Sequence, residues 1–255
     1  MTRTVVYEQP LNERIRTFLR LEFLFRQAAH TLGGTSEWDT RSSISSLLAI
    51  LEILSRADIK TELLKELERQ QTSLGRWRHQ PAVDLQHLDG LLDKLAAYQE
   101  RLHGNTAQLG HALRDTELLS GLRQRQTTPG GTCEFDLPVY HHWLQQPAME
   151  RNAIVLDWYS QLEDVRGPVA LVLDLVRQST KPSRQRAERG FYQSALDTTQ
   201  PYQMLRVLLP SDAQFFAEIS AGRHRFTVRF LQPQANARPV QISEDTDFLL
   251  ACCAL

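Results

Sequence analysis

Apolar residues recur along this chain with two different periods, and the period changes once near the front and once near residue 180. Thr2 to Tyr7 is short, β-branched and aromatic, which predicts a strand. Pro10 then opens a segment with Leu11, Ile15, Phe18, Leu19 and Phe25 at helical spacing. Stripes of the same period run from Ile44 to Leu54, Ile59 to Gln71, Leu85 to Leu102 and Ala107 to Gln126, and each predicts a helix. Gly33-Gly34, the Gly75 to Pro81 stretch and Gly104-Asn105 separate them, and Pro129-Gly130-Gly131 stops the last. Beyond a loop with Pro138, shorter helical patterns cover Val139 to Leu144, Ala148 to Leu162 and Val165 to Gln178, with Pro168 near the first turn of the third, where a missing N–H costs least.

Past Lys181-Pro182 the residues become strand formers: Phe191-Tyr192, Met204 to Leu209, Phe226 to Leu231 and Phe248 to Cys252. Arg225, Thr227 and Arg229 alternate with Phe226, Val228 and Phe230, as a half-buried strand requires. A small sheet is therefore expected at the end of the chain. A lone first strand would be an unprotected edge, so Thr2 to Tyr7 is expected to pair with the late strands. The fold class that follows is α+β: a mostly helical domain, residues 11–180, inserted after a first strand, and a small antiparallel β domain from residues 1–10 plus 181–255.

Charge then narrows the function. The formal net charge of −1 argues against a wholesale nucleic-acid binder. Of 29 Lys and Arg, only Lys60, Lys65, Lys94 and Lys181 are lysines. The planar arginine fork suits carboxylates, so the bias points to recognition of acidic groups, or else to plain codon usage. The opening segment lacks the charged start and apolar core of a signal peptide, and Asp174 interrupts the longest apolar stretch, Val169 to Val176, which predicts a cytosolic protein without a membrane span. Three cysteines, two of them adjacent, do not make a disulfide framework.

Catalytic and metal signals are thin. His141 and His142 are adjacent and point about 100° apart on a helix, so they do not chelate from one face. No HExxH, paired CxxC, GxSxG elbow or phosphate loop is present, and neither metal, cofactor nor catalytic residue is expected. The basic pattern is stronger. Arg16 and Arg20 lie one helical turn apart, Arg123 and Arg125 end another helix, and Arg225 and Arg229 project from one side of a strand. Arg16, Arg20 and Arg225 would converge if the front helix lay against the sheet, forming a cleft for a peptide with carboxylates and apolar side chains. Ordinary salt bridges with Glu13, Glu22 and Asp58 are the alternative, worth about 0–1 kcal/mol each when exposed. Lys181, Arg184, Arg186 and Arg189 read as a mobile basic loop, either a solvated linker or a means of electrostatic capture. The helix from Ile59, with Leu63, Leu64 and Leu67 on its apolar side, is core-facing first and a dimer surface second. A nucleic-acid adaptor, stacking bases on Trp77 or Trp143, and a hydrolase using Cys133 or His141 stay open as rivals.

The segments VVYEQPLNERIRTFLRLEFL from Val5, IKTELLKELERQ from Ile59, PGGTCEFDLPVYHHWL from Pro129, LVLDLVRQS from Leu171, GFYQ from Gly190, RFTVRF from Arg225 and DFLLACC from Asp247 resemble, in the same order, the ZapD family of bacterial cell-division proteins. The resemblance implies a cytosolic, non-enzymatic homodimer, recruited to the division site at mid-cell. There it would bind the acidic C-terminal tail of the tubulin-like protein FtsZ and bundle FtsZ filaments, with no membrane or nucleic-acid partner. The family's basic tail-binding pocket carries over to Arg20 in the opening helix, Arg56 ahead of the ELLKELER helix, His141 in the turn segment and Arg225 at the start of the strand. A further basic position of the family falls at Glu117 here, with Arg114 close by. Arg16, Arg123 and Arg229 complete the candidate set.

Overall fold

In the computed structural model, which describes residues 4–56, 58–81 and 83–255, the first strand finds its partner near the other end of the chain. Thr4–Pro10 (β1) pairs antiparallel with Tyr202–Pro210 (β4), setting Val6 opposite Leu208 and Glu8 opposite Arg206. The expected start of that strand at Thr2 lies outside the described residues. The strand also runs on through Pro10, which an edge position tolerates because no neighbour needs its N–H. Asn12 then starts the first helix, its side-chain oxygen accepting the Ile15 N–H at 2.9 Å, so Leu11 precedes the helix rather than opening it.

β4 continues to Thr246–Ala254 (β8), and β8 to Ser183–Ala187 (β2), giving an antiparallel sheet of order β1-β4-β8-β2. A second sheet has the order Phe191–Ala195 (β3), Arg225–Gln232 (β6), Phe216–Ala221 (β5), with the two-residue Val240–Gln241 (β7) on β6. One small sheet was the expectation; two sheets form, and they share a core. Leu205, Val207 and Leu209 of β4, Phe226, Val228 and Phe230 of β6, and Phe248 and Leu250 of β8 are buried together. The Phe230 and Phe248 rings meet at 5.0 Å between centres. Each such side chain removed from water contributes about 1.5–3 kcal/mol. β5 escaped the sequence reading because Ala217, Ser220 and Ala221 give little apolar contrast.

The basic run after Lys181 is likewise not a loop. Ser183–Ala187 is a strand, held by β8 in a register that opposes Arg184 to Leu249 and Arg186 to Asp247. Its sequence, SRQRA, carries no strand signal of its own, and only the β8 backbone makes it one.

Two compact units result, one from residues up to Thr17 with Leu173–Leu255, the other Phe18–Val172. The second is helical. Its helices begin with Glu13–Thr31 (α1), which crosses from the first unit, and continue with Glu37–Arg56 (α2), Ile59–Gly75 (α3) and Leu85–Gly104 (α4). α2 is longer than the apolar stripe at Ile44 to Leu54, because its first half buries hydroxyls instead. Thr40, Ser43 and Ser46 are almost inaccessible, and Ser46 bonds back to the Ser42 carbonyl at 2.9 Å. α3 is capped by Asp58, which accepts the Thr61 N–H at 3.1 Å; it packs on α4, and its Leu63 and Leu67 are fully buried.

The single helix expected over Ala107 to Gln126 is two, His111–Arg114 (α5) and Glu117–Arg125 (α6). Gly110 is left-handed at φ 70°, and a Cβ there would come within 2.7 Å of Leu51, so the chain turns where it packs. Thr116 is extended and separates the two helices. Pro138–Leu144 (α7), Ala148–Ser160 (α8) and Glu163–Gln178 (α9) follow. Because α9 starts before Val165, Pro168 lies inside it rather than in its first turn.

Candidate functional site

Many guanidinium groups of this chain already have acceptors within it. Arg151 is 5% exposed and donates to Thr40 Oγ1 at 3.3 Å, to the Leu144 carbonyl at 2.8 Å, to the Thr35 carbonyl at 3.1 Å and to the Gln146 carbonyl. It therefore closes the end of α7 on the start of α2, with acceptors that are all neutral among the described residues. Arg177 grips both oxygens of Glu8, at 2.8 and 2.9 Å, and Arg206 reaches the same carboxylate at 3.0 Å. Burial raises the Glu8 pKa, but the hydrogen bond and charge of Arg177, joined by Arg206, outweigh it and hold the carboxyl below its ordinary range. Arg41 lies over the Tyr140 and Trp38 rings, 5.0 and 5.4 Å from their centres. Burial pushes the Tyr140 hydroxyl up to about 12.

The sequence-selected residues divide by the same test. On α1, Arg16 is paired with Glu13 at 2.6 Å, whereas Arg20, one turn further, is exposed and has no ion-pair partner among the described residues. Glu22 pairs with Arg26 instead. Arg56 ends α2 and is paired with Glu52 of its own helix. It also lines a cavity of about 390 Å³ with Asp58, Lys60 and the 106–109 segment. Asp58 is occupied by capping α3, and its bonds from Thr61 lower its pKa. Lys60 donates to the Asn105 carbonyl at 2.6 Å.

At the end of α6, Arg123 is exposed without an ion-pair partner among the described residues, while Arg125 meets Asp136 at 3.3 Å. His141, half-buried on α7, has Nε2 3.9 Å from Glu134. Glu117 opens α6, and Arg114 ends α5 and donates to the Leu109 carbonyl at 3.2 Å. On β6 the expected alternation is present, with Phe226, Val228 and Phe230 inward and Arg225 and Arg229 outward. Arg229 is paired with Glu218 across to β5, and Arg225 is exposed with no ion-pair partner among the described residues.

Three of the seven candidates, Arg20, Arg123 and Arg225, thus present exposed guanidiniums without a carboxylate partner among the described residues. The sequence pattern did not separate them from Arg16, Arg56 and Arg229, because pairing depends on neighbours along a helix or across a sheet. Lys181 and Arg184 are also exposed and without ion pairs among the described residues, and the loop reading had hidden that they stand at a strand.

Among the described residues no three His, Cys, Asp or Glu side chains group closely enough to hold a metal ion. Cys133 Sγ donates to Asp136 at 3.3 Å. Burial raises the thiol pKa of Cys252 and pushes that of Cys253 up to about 11. Trp143 stacks on Tyr140 and on Trp158, each 6.1 Å away, so its ring is engaged inside the protein rather than offered to a base. Among the described residues no helix is long and apolar enough to cross a membrane.

Comparison with known proteins gives a consistent answer. A family model described as ZapD, cell division protein, matches residues 19–229. A cell division protein ZapD of Methylococcus capsulatus is 43% identical over 255 residues, covering all of both chains. One of Azoarcus sp. is 39% identical over 251 residues, 98% of this chain and 100% of the relative. One of Coxiella burnetii is 37% identical over 254 residues, 99% of this chain and 98% of the relative.

Proposed function

The chain belongs to the ZapD family of cell division proteins, and from that premise we propose that it is a cytoplasmic, non-enzymatic homodimer that binds the acidic C-terminal tail of FtsZ and crosslinks FtsZ filaments at mid-cell. A role in cell division follows from the family itself. The observation that supports the finer reading is the set of exposed arginines, Arg20, Arg123 and Arg225, which have no carboxylate partner among the described residues, in a protein whose other arginines are so often paired. Guanidiniums in that state are available to an acidic ligand, and Arg16, Arg56, His141 and Arg229 would exchange their present partners for it.

An acidic, partly apolar tail is disordered when free, so binding it carries an ordering cost and each contact stays modest. A twofold dimer compensates by number. When its two sites take tails from two polymers that each display many, linked binding raises the apparent affinity by roughly 10²–10⁴-fold without any new contact. Weak single sites then suffice to align filaments.

Arg20→Glu is expected to abolish bundling of FtsZ polymers in a sedimentation assay while the variant stays folded and dimeric by analytical ultracentrifugation. Bundling equal to wild type would overturn the assignment of this arginine. Raising salt from low to physiological strength should also weaken bundling, since at about 0.15 M charges more than roughly 8 Å apart are largely screened. A nucleic-acid role would instead give tight retention of DNA or RNA on a filter.

A further inference from the structure

Strands β2 and β3 leave a tight turn as neighbours and end in different sheets. Glu188 and Phe191 exchange both backbone hydrogen bonds, at 3.0 and 2.9 Å, across Arg189-Gly190. The φ values of 46° and 71° at these two residues are the left-handed pair that a two-residue hairpin demands. An ordinary hairpin would continue pairing. Here β2 turns to β8 and β3 to β6, so among the described residues Glu188 with Phe191 is the one rung between them.

The divergence opens a cleft of about 560 Å³ beside two strand edges. It is lined by buried Phe226 and Leu250, by half-buried Gln185 and Ser194, and, among the described residues, by a single charged side chain, Lys181. Gln185 and Ser194 occupy positions where strands elsewhere in this unit carry apolar core residues, and Gln185 accepts a hydrogen bond from the Tyr192 hydroxyl at 3.1 Å. Each edge strand turns alternate N–H and C=O groups away from its one partner, leaving them free to pair. β2 adds Arg184, exposed and without an ion pair among the described residues, and Arg186, which Asp245 holds at 3.0 Å.

We propose that this cleft receives an extended acidic stretch of polypeptide as an added strand on β2, and that the stretch is part of the FtsZ tail. The inference rests on the tail-binding reading above and adds to it a backbone-mediated site with its own charge logic. Main-chain bonds to β2 supply affinity, apolar tail side chains enter beside Phe226 and Leu250, and carboxylates meet Lys181 and Arg184. The five residues of β2 span about 17 Å, so about five tail residues are ordered. Charges on an edge strand can also serve only to keep other chains away, and the experiment separates the two roles.

The probe is a fluorescein-labelled synthetic peptide of the FtsZ C-terminal tail, titrated with the full chain at low salt. Ser194→Trp, which fills the cleft, and the double variant Lys181→Glu with Arg184→Glu should each weaken binding about tenfold, as loss of one strand's worth of contacts does. Saturating peptide should slow hydrogen exchange of the β2 amides in the wild-type chain. If both variants are folded by circular dichroism and bind as tightly as wild type, or if β2 exchange is unchanged under saturation, the cleft is not a docking site and its charges are merely protective. In that outcome tail binding by the exposed arginines stands. If the wild-type chain fails to bind the peptide at all, the tail reading falls, and this inference with it.

Discussion

The two units bury a guanidinium in opposite ways. In the helical unit Arg151 is held by uncharged oxygens from Thr35, Thr40, Leu144 and Gln146, so the charge is solvated by the backbone as water would solvate it. In the β unit Arg177 and Arg206 share the Glu8 carboxylate, so both guanidiniums meet an opposite charge drawn from β1, β4 and α9. The difference teaches that one residue type does two jobs here. Arg151 supplies donors to the Leu144 and Gln146 carbonyls at the end of α7, whereas Glu8 joins pieces of chain that are far apart in sequence.

The largest test of that contrast is Arg151→Met, which keeps the volume and removes the donors. Orphaned carbonyls cost about 1–3 kcal/mol each when buried, so a loss of about 3 kcal/mol in urea unfolding is expected. A loss below about 0.5 kcal/mol would mean that water replaces the guanidinium without penalty, and the contrast would disappear. Glu8→Gln should cost less, about 2 kcal/mol at neutral pH, because the cluster keeps some contact with solvent.

The same pair of variants separates the units by pH. Glu8 titrates below its ordinary value in the folded chain, so its contribution is fully present above the ordinary glutamate range and is lost as pH falls through the depressed folded pKa. The stability gap between wild type and Glu8→Gln should therefore narrow on acidification, while the gap for Arg151→Met should not follow that titration. Unfolding midpoints measured from pH 7 to pH 3 decide it. The smallest expected effect is that of Arg229→Ala. Its partner Glu218 and its own side chain are about half exposed, so stability should change by less than about 1 kcal/mol, in line with other surface pairs. A larger loss would mean that a surface arginine of the β unit is as structural as the buried ones.

Much of this architecture was legible along the chain because apolar stripes survive where helices or strands bury one clean face, as at Leu63 and Leu67 or at Phe226, Val228 and Phe230. The stripe failed where burial is polar, in the Thr40, Ser43 and Ser46 half of α2, and where a strand exists only through its neighbour, as in Ser183–Ala187. It also failed at Gly110, where close approach to Leu51 broke an otherwise helical pattern. The candidate arginines were legible as residues and not as charges available for binding. Arg16 and Arg56 look no different in sequence from Arg20, yet the first two are paired along their own helices.

By itself, then, the order of residues determined the succession of helices and strands, the pairing of a first strand with late ones, and membership of a cell-division family. Those properties reside in local periodicity and in segments that keep their order. Only the tertiary structure decided that the strands form two sheets, that β2 and β3 part beside an open cleft, and which guanidiniums have no ion-pair partner among the described residues. The reason is physical: an ion pair such as Glu8 with Arg206 joins positions 198 residues apart, and no local pattern carries information over that distance.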